Sequence, residues 1–162
     1  MHAEAMTNTS STTNSPASAR PEPGMAPPPN VWATLRYDDA PAAIEFLKEA
    51  FGFEELLVVR GEGEGDRQVH HAELLWPAGG GVMLGSTTYT EGVHAQLPSG
   101  CGSTYCVCDD PDALFARAKA AGAEVVQDME DTDYGSRGFT VRDPEGNLWS
   151  FGTYPGSAKP ST

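Results

Sequence analysis

The sequence predicts an α+β fold: two βαβββ modules forming an eight-stranded mixed β cup with helices outside. Three observations predict it. The segment DAPAAIEFLKEAFGFEE (residues 39–55) can be laid over DDPDALFARAKAAGAEV (residues 109–125), so that Asp39 meets Asp109, Ala43 meets Ala113, Ile44 meets Leu114 and Gly52 meets Gly122. An alternating segment precedes each copy, and three strand-like segments follow each. One such module leaves a sheet face uncovered, whereas two side by side can curve into a shared cup.

In chain order, residues 1–29 are rich in Ser, Thr, Asn, Pro and Ala and end in three consecutive prolines. Such a composition cannot bury a core and predicts a disordered tail. The folded domain is expected over residues 30–155, with module one at 31–87, a linker at 88–102, module two at 103–155, and a second tail from 156 to 162. VWATLRY opens module one and STYCVC opens module two, each alternating as a half-buried strand does. The helices share one punctuation. Asp39 and Asp110 accept the free amides of the first turn. Pro41 and Pro111 sit where a missing N–H costs nothing. Gly52 and Gly122 take the left-handed conformation past the end. Ile44, Leu47 and Phe51 are spaced to bury one face of the first helix, as are Leu114, Ala118 and Ala121 on the second. LLVVR, RQVHHAELLW and GVMLGST then supply strands in module one, and EVVQDM, GFTVRD and NLWSFGTY in module two. GEGEGD, PAGG and DPEGN join them with turn chemistry. Thr87 to Gly102 is long for a connection, long enough to close over the cup or over a partner chain.

Bulk properties narrow the function. Hydrophobic residues make up 39% of the 162 and charged residues 20%, which suffices for a core. No apolar run is long enough to cross a membrane. The first residues lack a basic start followed by an apolar block, so a cytoplasmic location is expected. Three cysteines, an odd number, suggest no disulfide framework; Cys106 and Cys108 read as small buried hydrophobes rather than zinc ligands. The net charge is −13, and the tail charges cancel, so the folded part carries the excess. Such a surface repels nucleic acid and anionic lipid. It favours cationic ligands, or serves solubility alone.

The double module, with Asp-x-x-x-Ala at each helix start and DPEGNLW before the last strand, resembles the glyoxalase/bleomycin-resistance (vicinal oxygen chelate) superfamily over residues 31–154. LRYDDAPAAIEFLKEAFGFEE (residues 35–55) also looks like the branch similar to the phosphonate-operon protein PhnB. The resemblance implies that enzymes of this kind hold a divalent metal in the cup through His, Glu or Gln, and that relatives commonly form dimers, some of which sequester cationic glycopeptide drugs. Carried over one at a time, the ligand positions fall on Trp32, on the region of Leu84 to Ser86, on Ser103 (or Gly102) and on Ser150. An indole and neutral hydroxyls do not hold a divalent cation. No metal and no other cofactor is therefore expected. If Ser103 points inward, alternation turns Trp32, Thr34, Arg36, Tyr105 and Ser150 inward too, and sends Cys106, Cys108, Trp149 and Phe151 to the helices. An indole, a phenol, hydroxyls and one guanidinium suit a small organic ligand, bound by a homodimer without metal.

Other candidates remain two-sided. His71 and Glu73 share a strand face, either as an acid–base pair or as a structural hydrogen bond. His70 and His71, as neighbours on a strand, should face opposite sides. Tyr134 and Arg137 precede a strand. Arg137 either clamps an anionic ligand or pairs with acids such as Asp131 and Asp133. Asp143 is read as capping its own turn. The glycine-rich GEGEGDR is not a phosphate loop, for it lacks the Lys-Ser/Thr and carries two glutamates. An enzyme using His71, Glu73, Tyr134 or Arg137 is thus the alternative to a binder.

Overall fold

The computed structural model describes residues 31–62 and 67–157. The expected N-terminal tail, residues 63–66 of the GEGEGD loop and residues 158–162 of the expected C-terminal tail lie outside the described residues. Module one comprises β1 (Trp32–Tyr37), α1 (Ala40–Phe46), β2 (Glu54–Arg60), β3 (Val69–Leu75) and β4 (Gly81–Ser86). Module two comprises β5 (Ser103–Val107), α2 (Pro111–Ala120), β6 (Glu124–Asp131), β7 (Arg137–Arg142) and β8 (Leu148–Gly152). α1 widens into a π turn over Leu47–Phe51 before it ends. Each module makes one four-stranded sheet, ordered β1-β4-β3-β2 and β5-β8-β7-β6. The strand before each helix runs parallel to the last strand of its module, and the other pairs are antiparallel.

The helices begin and end as their sequences dictate. Asp39 accepts from the Ala42 amide at 3.2 Å, and Asp110 from Ala113 at 3.0 Å. Gly52 and Gly122 close the two helical segments at φ 85° and 91°, a region costly for any residue with a Cβ. Ile44, Leu47 and Phe51 are buried as expected. On α2 the phase differs from expectation. Phe115, not Leu114, is buried together with Pro111 and Ala118, because the larger ring fills the gap beneath Phe139. Lys119 lies over the outer side of that ring at 4.1 Å.

The modules meet through their helix-bearing faces. Phe51 packs on Trp149 and Phe151 of β8, at ring separations of 5.4 and 4.8 Å. Phe53 bridges Trp76 and Trp149. Burying each such ring is worth about 1.5–3 kcal/mol. Polar ties reinforce the seam. Arg117 of α2 donates to the Glu49 and Lys48 carbonyls at 2.6 and 2.8 Å, placing a cation at the end of the first helical segment. Asp143, of DPEGN, does more than cap its own turn. Its Oδ1 accepts the Glu145 and Asn147 amides, and its Oδ2 accepts Tyr37 Oη at 2.7 Å, Asn147 Nδ2 at 3.0 Å and Trp149 Nε1 at 3.0 Å. Burial, then the Asp143 charge, holds the Tyr37 phenol well above its usual range.

This arrangement settles the shape of the cup. The two sheets are separate and do not close into a single eight-stranded barrel. Their helix-bearing faces turn to one common core, so the opposite faces look outward. Those bare faces expose Leu57, Val59 and Tyr105, all more than two-fifths accessible.

Candidate functional site

On the bare face of module two, register sets Tyr105 beside Ser150 and Ser150 beside Thr140, with Gln127 opposite Thr140. Ser150 Oγ and Thr140 Oγ1 are 2.9 Å apart, and Thr140 Oγ1 donates to Gln127 Oε1 at 3.4 Å. Tyr105 Oη donates to the Tyr154 carbonyl at 3.0 Å, and the exposed Tyr134 ring meets Tyr154 edge-on. Partial burial raises the Tyr105 phenol, which stays a neutral donor. These groups line a hollow of about 290 Å³, with Glu130 at its wall. Thr140 and Gln127 were not singled out from the sequence. Alternation marks Thr140 as facing away from Phe139 and Val141, but only register puts it against Ser150.

On the bare face of module one, Thr34 and Arg36 of β1 stand beside Met83 and Gly85 of β4. His71 and Glu73 of β3 continue the row, their side chains joined at 2.9 Å. Trp32 lies across Gly81, where a Cβ would come within 2.6 Å of the indole, so the glycine is what lets the ring lie flat. The expectation that His70 and His71 face apart does not hold. β3 advances two residues against one of β2 between Val59 and Arg60, leaving His70 as the extra residue of a bulge. Both histidines therefore line one hollow of about 230 Å³, with Thr34, Arg36, Tyr89 and His94. The His70 ring stacks on Tyr89 at 4.1 Å. Tyr89, Glu91 and His94 of the connection between modules line this hollow.

Arg137 stands apart from both hollows. It makes a two-pronged bond to Asp112 and a further bond to Asp131, all at 2.8 Å, pinning α2 to the β6–β7 turn. Asp112 rather than Asp133 is the second acid, because α2 runs alongside the strand start. The pairing raises the guanidinium and holds the Asp112 carboxyl below its usual range. Cys106 and Cys108 are buried on the helix side as expected, their thiols pushed up to about 12 and about 11, chiefly by burial.

The four positions at which a divalent ion would be held divide between the two sheets. Trp32 and the β4 position lie on one, Ser103 and Ser150 on the other. Within β4, Leu84 and Ser86 are buried, and Leu84 and Gly85 line the hollow without offering a side chain that could ligate an ion. Ser150 already bonds Thr140. Among the described residues, no group of three His, Cys, Asp or Glu side chains gathers as a metal would require. The residues present do not fit such an ion.

A tandem of β-α-β-β-β modules, each presenting one bare sheet face, defines the class of scaffold. The chain belongs to the glyoxalase/bleomycin resistance protein/dioxygenase superfamily, whose family model matches residues 31–151. It is 34% identical over 135 residues to the uncharacterized protein Rv0887c of Mycobacterium tuberculosis, covering 81% of this chain and 74% of that one. It is similar to the crystal structure of TioX from Micromonospora sp. ML1, at 34% identity and a TM-score of 0.63, covering 76% of this chain and 98% of that one. A glyoxalase/bleomycin resistance protein from Streptomyces sp. CB03234 shares the fold at 22% identity and a TM-score of 0.55, over 74% of this chain and 96% of that one. No helix among the described residues is long and apolar enough to cross a membrane.

Proposed function

We propose that the protein is a metal-free binder of a small organic molecule, an aromatic or cationic compound such as an antibiotic, held on the bare sheet faces. The observation that supports this most is the state of Ser150. Where the enzyme relatives are expected to carry a carboxylate, this chain carries a hydroxyl already bonded to Thr140, beside the half-exposed Tyr105 ring. Neutral hydroxyls and phenols orient an organic ligand by hydrogen bonds and stacking, and supply no seat for a divalent ion. The acidic surroundings favour a cationic group near Glu130. Likeness to the PhnB branch and a cytoplasmic location belong to the same proposal.

A homodimer completes the site. Each face leaves apolar side chains in water, Leu57 and Val59 on one sheet and Tyr105 and Val126 on the other. Setting module one of one copy against module two of another covers them and encloses the hollows. Calorimetry of the metal-stripped full chain against aromatic compounds of differing charge tests the proposal. Silence across the panel, or a stoichiometric divalent ion in protein purified without chelator, overturns it.

One contact favours a second reading. His71, which lines the hollow, and Glu73, bonded to it at 2.9 Å, form the pair a metal-independent isomerase or lyase would use for proton transfer. Retention of any detected turnover by His71→Ala would remove that reading.

A further inference from the structure

Arg36 is the most unusual charge in the molecule. It is only 6% accessible, yet among the described residues no carboxylate pairs with it. Its Nη2 donates to the Tyr89 carbonyl, and that neutral oxygen is its only acceptor among the described residues. Its Nε is buried without any partner. A buried guanidinium left with one neutral acceptor is costly, because desolvation is not repaid by an opposite charge. Two acids stand nearby, of which Glu91 lines the hollow and neither pairs with Arg36 among the described residues. Glu73 is held by His71, and Glu91 accepts from Tyr89 Oη at 3.3 Å. Gly85 stands under the guanidinium, where a Cβ would come 3.5 Å from Nη1, so the floor below it is free of side chain. In a chain of net charge −13, this one hollow gathers an arginine and three imidazoles, those of His70, His71 and His94, against a single lining carboxylate, that of Glu91.

We propose that the module-one hollow is an oxyanion-binding subsite, in which Arg36 receives the carboxylate or phosphonate group of an organic ligand. This rests on the binder reading and sharpens it: the ligand is an organic anion at this end, whatever it carries at the module-two end. The Arg36 guanidinium donates to the oxyanion through its hollow-facing end, where Nη1 stands over Gly85, and charge-assisted bonds of this kind are the strong ones. The hollow, at about 230 Å³, has room for such a head group and a few attached atoms. The Tyr89–His70 stack walls one side, so an aromatic acid fits better than an aliphatic one.

The test is calorimetry and thermal melting of the full chain with four probes of similar size: benzoate, phenylphosphonate, the neutral benzamide and the cationic benzylamine. Inorganic phosphate serves as a fifth arm. Benzoate or phenylphosphonate should bind at least about tenfold more tightly than benzamide, the charge contribution expected of a partly buried arginine. Which of the two wins tells carboxylate from phosphonate ligands, and inorganic phosphate alone raising the melting temperature would point to a free phosphate. Arg36→Met should lose that preference while melting at or above the native temperature, because it removes an unpaired buried charge. If benzamide or benzylamine binds and neither anion does, the binder stands and the anion subsite falls. If no probe binds, both fall. If the anions are silent and Arg36→Met melts lower or weakens self-association, Arg36 is a strap for residues 87–92 or a subunit contact, and the assignment is overturned.

Discussion

Asp143→Asn isolates what joins the two modules. The buried carboxylate accepts five hydrogen bonds, and three of its donors converge on Oδ2: Tyr37 from β1, Trp149 from β8 and Asn147 from the turn. Asparagine keeps the shape and one oxygen, so the two backbone amides of the turn keep their acceptor. The new NH₂ then faces three donors. Each charge-assisted bond contributes about 1.5–3 kcal/mol, and Tyr37 can rotate its hydroxyl to accept, so the net loss is about 3–5 kcal/mol. For a folded unit of this size that lowers the melting temperature by about 10–20 °C. Tyr37→Phe removes one bond and should cost about a third as much. Thermal melts followed by circular dichroism, with urea titrations as a check, measure both. An Asp143→Asn protein that melts within about 3 °C of the native one would refute the idea that this carboxylate clamps module one to module two.

Other expectations follow from the same geometry. Ser150→Ala breaks the bond to Thr140 and should weaken any ligand found in the module-two hollow by about fivefold, a loss of about 1 kcal/mol; unchanged affinity would detach Ser150 from the site. Because burial raises Cys106 to about 12 and Cys108 to about 11, both should resist a thiol reagent at pH 8 in the native protein and react only on unfolding, whereas the exposed Cys101 reacts at once. The sign for stability follows. Folded thiols with raised values stabilise fully below the unfolded value of about 8.5, so stability should decline as pH rises from there towards the folded values; a melting temperature constant to pH 10.5 would contradict it. If the bare faces pair as proposed, Val126→Asp, which places a charge on an exposed position of module two, should shift sedimentation from dimer to monomer without lowering the melting temperature of the monomer; unchanged sedimentation as a dimer would contradict that pairing.

Legibility differed by kind of information. The helix boundaries were readable because Asp39, Pro41 and Gly52, and Asp110, Pro111 and Gly122, act on backbone within a few residues of themselves. The inward and outward faces of β5 and β8 were readable because alternation is a property of the strand alone, so the burial of Cys106, Trp149 and Phe151 followed. His70 was misplaced because a bulge depends on how many residues the neighbouring strand offers. Phe115 was passed over because the choice between it and Leu114 depends on the ring of Phe139 beneath it. The sequence does not choose between a ligand and an acid for Arg137, because α2 brings Asp112 beside it from 25 residues away.

The sequence by itself determined the two-module architecture, the capping of both helices and the lack of metal-binding side chains at Trp32, Ser103 and Ser150, since each of these depends on residue type and local spacing. Only the tertiary structure decided that the sheets share their helix-bearing faces and leave the others open, that Asp143 binds module one to module two, and that Arg36 is buried with no acid beside it among the described residues. Those facts depend on groups separated by tens of residues in the chain. Which of them meet is set by how two aromatic-rich faces pack, and no local pattern encodes that.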